Sequence, residues 1–104
     1  MLIVFTTVSN VADAEALATK IVEAKLAACI QILPQIRSVY YWEGKLQNEA
    51  EHLLLIKTLD EKYLELESFV RENHSYDVPE IVAIPAEKVS GDYLAWVRNV
   101  MNEK

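Results

Sequence analysis

Two histidines and one cysteine are the chain's imidazole and thiol donors, and no two of them are neighbours. His74 stands in the loop word His74-Ser75-Tyr76-Asp77-Val78-Pro79, just after a helical pattern. A loop imidazole is the commonest transition-metal ligand. At a helix C-terminus it also complements the dipole, so His74 reads as a metal ligand or as a structural residue. Cys29 opens a strand directly after a helix and reads as a small buried hydrophobe, with metal ligand as the alternative. His52, among polar residues, reads as a solvated strand residue. No Cys–His pair is argued by proximity, and no GxxxxGK[ST], HExxH, GxSxG or GxGxxG signature occurs. With no nucleophile–base pair in view, the expectation is a protein that is not an enzyme.

The charges placed to matter are Lys57, Glu80 and Glu49. Lys57 follows four apolar residues and Glu80 sits between Pro79 and Ile81, so both belong at strand ends near the core. One reading is a structural Lys–Glu pair that fixes register. The other is an inter-subunit cleft in which Lys57 binds an anion between walls of Tyr40, Trp42, Tyr93 and Trp96.

These residues hang on one long hairpin. Cys29–Trp42 and Leu46–Lys57 read as strands joined by the turn Glu43-Gly44-Lys45, where Gly44 supplies a positive φ. Fourteen residues span roughly 46 Å, whereas a sphere of this chain's length is only about 34 Å across. The hairpin must bend at Pro34 or project from its domain. Ile30, Ile32, Ile36, Tyr40 and Trp42 share one parity and predict a single apolar face. Gln47–His52 is polar and Leu53–Ile56 apolar, so the base is core and the tip is outside. The aromatic tip predicts self-association.

Around the hairpin, Met1–Val8 is a central strand, apolar on both faces. Ser9 and Asn10 offer caps to a helix with Ala14, Leu17, Ala18, Ile21, Val22 and Leu26 on one stripe. Thr58 or Asp60 is expected to cap a second helix carrying Tyr63, Leu66, Phe69 and Val70 inward. Ile81–Ile84 is a strand stopped by Pro85, and Ser90-Gly91-Asp92 starts a last helix with Tyr93, Trp96, Val97, Val100 and Met101 on one side. The order β-α-β-β-α-β plus a C-terminal helix predicts an α+β ferredoxin-like sandwich, residues 1–104 forming one domain. Pro34 and Pro85 then fall on edge strands, where a missing N–H is tolerated.

The 104 residues suit one core without staples. A net charge of −6 argues against nucleic acid and is compatible with loose attraction of divalent cations. No run reaches membrane-span length and none resembles a signal peptide, so the expectation is a cytoplasmic protein without membrane association.

Leu26-Ala27-Ala28-Cys29, Pro34, Ser38, Tyr40-Tyr41-Trp42-Glu43-Gly44-Lys45, Lys57-Thr58, His74-Ser75-Tyr76, Pro79-Glu80-Ile81 and Tyr93-Leu94-Ala95-Trp96 together resemble the CutA family of divalent-cation tolerance proteins. The match runs in register along nearly the whole chain. The resemblance implies a homotrimer similar in architecture to PII signalling proteins, with long hairpins paired between neighbours. It also implies a role in tolerance of divalent metals, with copper(II) or another divalent cation bound, and His74 and Cys29 as the metal candidates. A PII-like module binding a small anion in the inter-subunit cleft is the alternative. The chain departs from the family at Ser75, where proline is usual, and at Asn73 and Thr6, where some copper-binding relatives carry histidine and cysteine. Any metal site is then open or shared between subunits, and copper(II) is expected to be preferred over zinc.

Overall fold

A computed structural model describes residues 1–102. Four strands, β1 (Leu2–Val8), β2 (Cys29–Trp42), β3 (Lys45–Thr58) and β4 (Val82–Pro85), form one antiparallel sheet in the order β2-β3-β1-β4. Three α-helices accompany it: α1 (Val11–Glu23), α2 (Tyr63–Asn73) and α3 (Gly91–Asn102). The first and third strands are central, and Pro34 and Pro85 fall on the two edges, as expected of a split-βαβ chain.

Local chemistry explains the element ends. Asn10 caps α1 by accepting the Asp13 amide at 2.8 Å. At the other end Lys25 adopts φ 60, so that its amide reaches the Val22 carbonyl and the Leu26 amide reaches that of Ile21. That is the Schellman closure, with lysine where glycine is usual. Neither expected cap serves α2: Thr58 Oγ1 donates instead to the Leu26 carbonyl at 2.7 Å, and Asp60 pairs with the Met1 amino nitrogen at 2.9 Å. The chain enters α2 through a 3-10 turn at Asp60–Lys62, which lets the backbone cap itself.

One sheet face carries Val4, Thr6 and Val8 beside Leu54 and Ile56, and these are buried under α1 and α2 with Ala14, Leu17, Ile21, Leu66 and Val70. A second cluster joins Val97 and Met101 of α3 to Ala28 and Leu59.

The hairpin turns through Glu43 (φ 51) and Gly44 (φ 76), both left-handed, as a two-residue turn requires. It both extends and bends: the domain measures 45 × 26 × 22 Å, and the register shifts between Leu33 and Ile36 around a left-handed Gln35 (φ 58). This bulge corrects the expected single apolar face. Leu33 opposes Leu53 and Ile36 opposes Glu51, so one extra residue on β2 reverses the parity beyond it. Ile30 and Ile32 pack on the helix-covered core, whereas Ile36, Tyr40 and Trp42 share the opposite face with Glu51, Glu49 and Gln47.

Candidate functional site

The reversed parity builds a cavity. On the sheet face away from α1 and α2, the outer half of the hairpin meets the loop that follows α2, enclosing about 690 Å³. Ser38, Tyr40, Trp42, Glu49 and Glu51 come from the hairpin, and Tyr76, Asp77 and Glu80 from the loop. Two bonds tie the loop to the sheet and a third braces it internally. His74 Nε2 lies 2.8 Å from the Thr7 carbonyl, the Tyr76 amide donates to His74 Nδ1 at 3.0 Å, and the Tyr76 hydroxyl donates to Glu51 Oε2 at 2.7 Å.

Those bonds define the tautomer of His74. Nδ1 accepts, so Nε2 carries the proton and donates to Thr7. Both ring nitrogens are engaged, and a metal at either requires the release of one hydrogen bond. Cys29 is half-buried opposite Lys57, whereas the Thr7 carbonyl that holds His74 lies on a residue opposite Leu53. Cys29 and the Thr7 anchor lie on opposite sides of β3 and are offset along it by four positions, about 13 Å. Among the described residues no three His, Cys, Asp or Glu side chains converge to hold a metal ion. Thr6 is fully buried with no partner for Oγ1 among the described residues, and Asn73 Nδ2 donates to the Phe69 carbonyl at 2.9 Å.

The expected cleft residues fall into two groups within one chain. Glu49, Glu80, Tyr40 and Trp42 line the cavity. Lys57, Tyr93 and Trp96 stand together elsewhere: the ammonium is 5.4 Å from the Tyr93 ring centroid, and Tyr93 stacks on Trp96 at 5.7 Å. Glu51 and Lys57 are six positions apart on β3, roughly 20 Å. Lys57 makes no ion pair with a described carboxylate.

The electrostatics of the cavity are one-sided. Among the described residues Glu49, Glu51, Asp77 and Glu80 line it, and no lysine or arginine does. Glu51 is only 6% exposed. Desolvation, then repulsion from Glu51, holds the Glu80 carboxyl above its usual range. Desolvation, then the hydrogen bond to the Glu51 carboxylate, pushes the Tyr76 phenol well above its ordinary value. Tyr40 is raised in the same sense, by desolvation and then by the hydrogen bond its hydroxyl donates to Glu49 Oε2 at 3.2 Å.

Glu51 and Tyr76 were not singled out from the sequence as site residues. The alternation Glu49-x-Glu51 already puts two carboxylates on the β3 face opposite Leu54 and Ile56, but which β2 residues share that face depends on the bulge.

With this geometry in place, the similarities to known proteins fall into one group. The family model described as CutA1 divalent ion tolerance protein matches residues 2–100. Protein CutA, chloroplastic, of Arabidopsis thaliana is 47% identical over 98 residues, which cover 94% of this chain and 54% of the relative. Protein CutA 1, chloroplastic, of Oryza sativa subsp. japonica is 45% identical over 102 residues, 98% of this chain and 58% of the relative. The chain thus spans a little over half the length of these curated relatives. The crystal structure of CutA1 from Oryza sativa superimposes with a TM-score of 0.94 at 45% identity, covering 99% of this chain and 94% of that one. Among the described residues no helix is long and apolar enough to cross a membrane.

Proposed function

This chain belongs to the CutA1 divalent ion tolerance protein family, and on that premise we propose that it acts without catalysis, as a homotrimer that collects cations in an acidic cavity on each subunit. The observation that carries the reading is the cavity itself, with four carboxylates and no lysine or arginine among the described residues of its lining. Low-dielectric walls lined by one sign of charge raise the local concentration of counter-ions.

The trimer is supported by what a lone chain leaves in water. Val39, Tyr41, Trp42 and Leu46 are exposed at the hairpin tip, and Val82 and Ile84 are exposed on the edge strand β4. Long edges and aromatic tips of this kind are covered by pairing with another copy. A repeated contact between two different patches closes into a ring, which here gives the PII-like arrangement. In it, Lys57, Tyr93 and Trp96 reach the cavity from the neighbouring subunit and complete the cleft. Divalent metal enters as a hydrated ion held by the carboxylates. Copper(II) at His74 demands the release of a hydrogen bond, and Cys29 is too distant to assist it.

A second reading, a PII-like module for a small anion, is favoured by the unpaired Lys57 over Tyr93. One set of experiments separates them. Light scattering should give about three times 11.9 kDa. Calorimetric titration of manganese(II) and copper(II) into the chelator-treated protein should show uptake that Glu49→Gln and Glu80→Gln weaken and His74→Ala does not. A monomer at micromolar concentration overturns the assembly. Uptake lost only in His74→Ala moves the metal to the loop, and stabilisation by anionic metabolites but not by metal supports the second reading.

A further inference from the structure

We infer that the cavity between hairpin and loop is a binding site for an elongated aliphatic di- or polyamine, its ammonium groups on separate carboxylates and its methylenes against Tyr40, Trp42 and Tyr76. This rests on the reading of the cavity as a cation site and names the class of cation.

Glu51 is the first reason. Nine-tenths buried, it receives one hydrogen bond, from Tyr76 to Oε2; its other oxygen has no donor among the described residues and opens onto the cavity that the side chain lines. A buried carboxylate without a counter-charge is expensive, and removing its exposure to water is favourable only when a cation with hydrogen-bond donors arrives. Repulsion between Glu80 and Glu51 points the same way, since a cation between them relieves it.

The spread of the carboxylates selects the shape of that cation. A bare divalent ion gathers several oxygens around one point at about 2.0–2.6 Å, and no three such donors converge among the described residues. Carboxylates that are separated but line one cavity suit a ligand with separated charges. The aromatic residues complete the pattern. The Tyr40 and Tyr76 hydroxyl protons are committed to Glu49 and Glu51, which leaves their oxygens to accept N–H bonds. Ring faces attract ammonium groups and shelter methylenes. About 690 Å³ is far more than one metal ion occupies and lies in the range of small-molecule sites. One Lys57 from a neighbouring subunit neutralises one carboxylate of the four and leaves three.

The test is calorimetry at low ionic strength on the intact protein, with 1-aminooctane, 1,3-diaminopropane, 1,8-diaminooctane, spermine and manganese(II) as probes. The expected result is at least tenfold tighter binding of 1,8-diaminooctane than of either 1-aminooctane or 1,3-diaminopropane, with spermine tighter again. Glu51→Gln with Glu80→Gln should weaken diamine binding tenfold or more, and Trp42→Ala several-fold. The control Glu15→Gln with Glu23→Gln, which removes two exposed charges on α1, should leave it unchanged. Manganese(II) uptake without diamine binding overturns the inference while sparing the cation site; uptake of neither overturns both. Equal binding of mono- and diamine, or equal loss in the control variant, also overturns it.

Discussion

Replacing Tyr76 by phenylalanine isolates the contact that holds the loop onto the hairpin. The ring and its 4.8 Å contact with His74 are kept, and only the hydroxyl is removed. What disappears is the 2.7 Å bond to a carboxylate that is 6% exposed and has no other donor among the described residues. A hydrogen bond to a charged group contributes about 1.5–3 kcal/mol, and a buried acceptor left unpaired keeps the variant near the upper part of that range. With about 4 °C or more per kcal/mol for a domain of this size, Tm should fall by roughly 6–12 °C at neutral pH. Scanning calorimetry at fixed protein concentration measures it, since assembly makes Tm concentration-dependent. The pH profile has a definite sign. The Tyr76 phenol is raised in the folded state, so its contribution is whole below the unfolded value of about 10 and is lost as pH rises through the folded one. The gap between the parent and Tyr76→Phe should therefore be constant from pH 7 to 9 and narrow above 10. Combined with Glu51→Gln, the double-mutant cycle should show coupling of about 1 kcal/mol or more. Additive losses, or a Tm change under about 1 °C, would refute the reasoning.

Two further outcomes follow from the same structure. Because burial and Glu51 raise the Glu80 carboxyl, its ionised form opposes folding; Glu80→Gln should stabilise at pH 7 by under about 1 kcal/mol in this screened position, with the gain vanishing as pH falls through the raised value toward the ordinary 4.5, as thermal melts from pH 3 to 8 would read. Amide exchange should be slowest at Val4–Thr6 and Leu54–Ile56, which lie on central strands with buried residues on the helix-covered face; better protection of Ala83 and Ile84 would contradict the observed order.

Much of the fold was legible in local pattern. The period-3.6 stripe from Ala14 to Ile21, the doubly apolar Leu2–Phe5 and the turn at Gly44 each involve neighbours within a few residues, and sequence carries such information directly. The order of elements placed β2 and β4 at the edges, and Pro34 and Pro85 agree with it because a missing N–H is tolerated there. Even the words around Tyr40-Tyr41-Trp42 and His74-Ser75-Tyr76 identified residues that converge in space.

The cavity was decided elsewhere. A bulge of one residue at Pro34-Gln35 carries Tyr40 and Trp42 to the face opposite Ile30 and Ile32, because side chains alternate with period two and a single insertion reverses all that follow. That reversal brings Tyr40 beside Glu49. The loop after α2 then brings Tyr76 to Glu51, 25 residues away, and His74 to Thr7, 67 residues away. Sequence alone named His74 as a candidate ligand and left Glu51 a polar strand residue. Tertiary packing engaged one imidazole nitrogen with the loop and the other with β1, and turned Glu51 into the buried charge at the centre of the site. Burial and partner are properties of long-range contact, and the polarity of a residue in its own strand does not contain them.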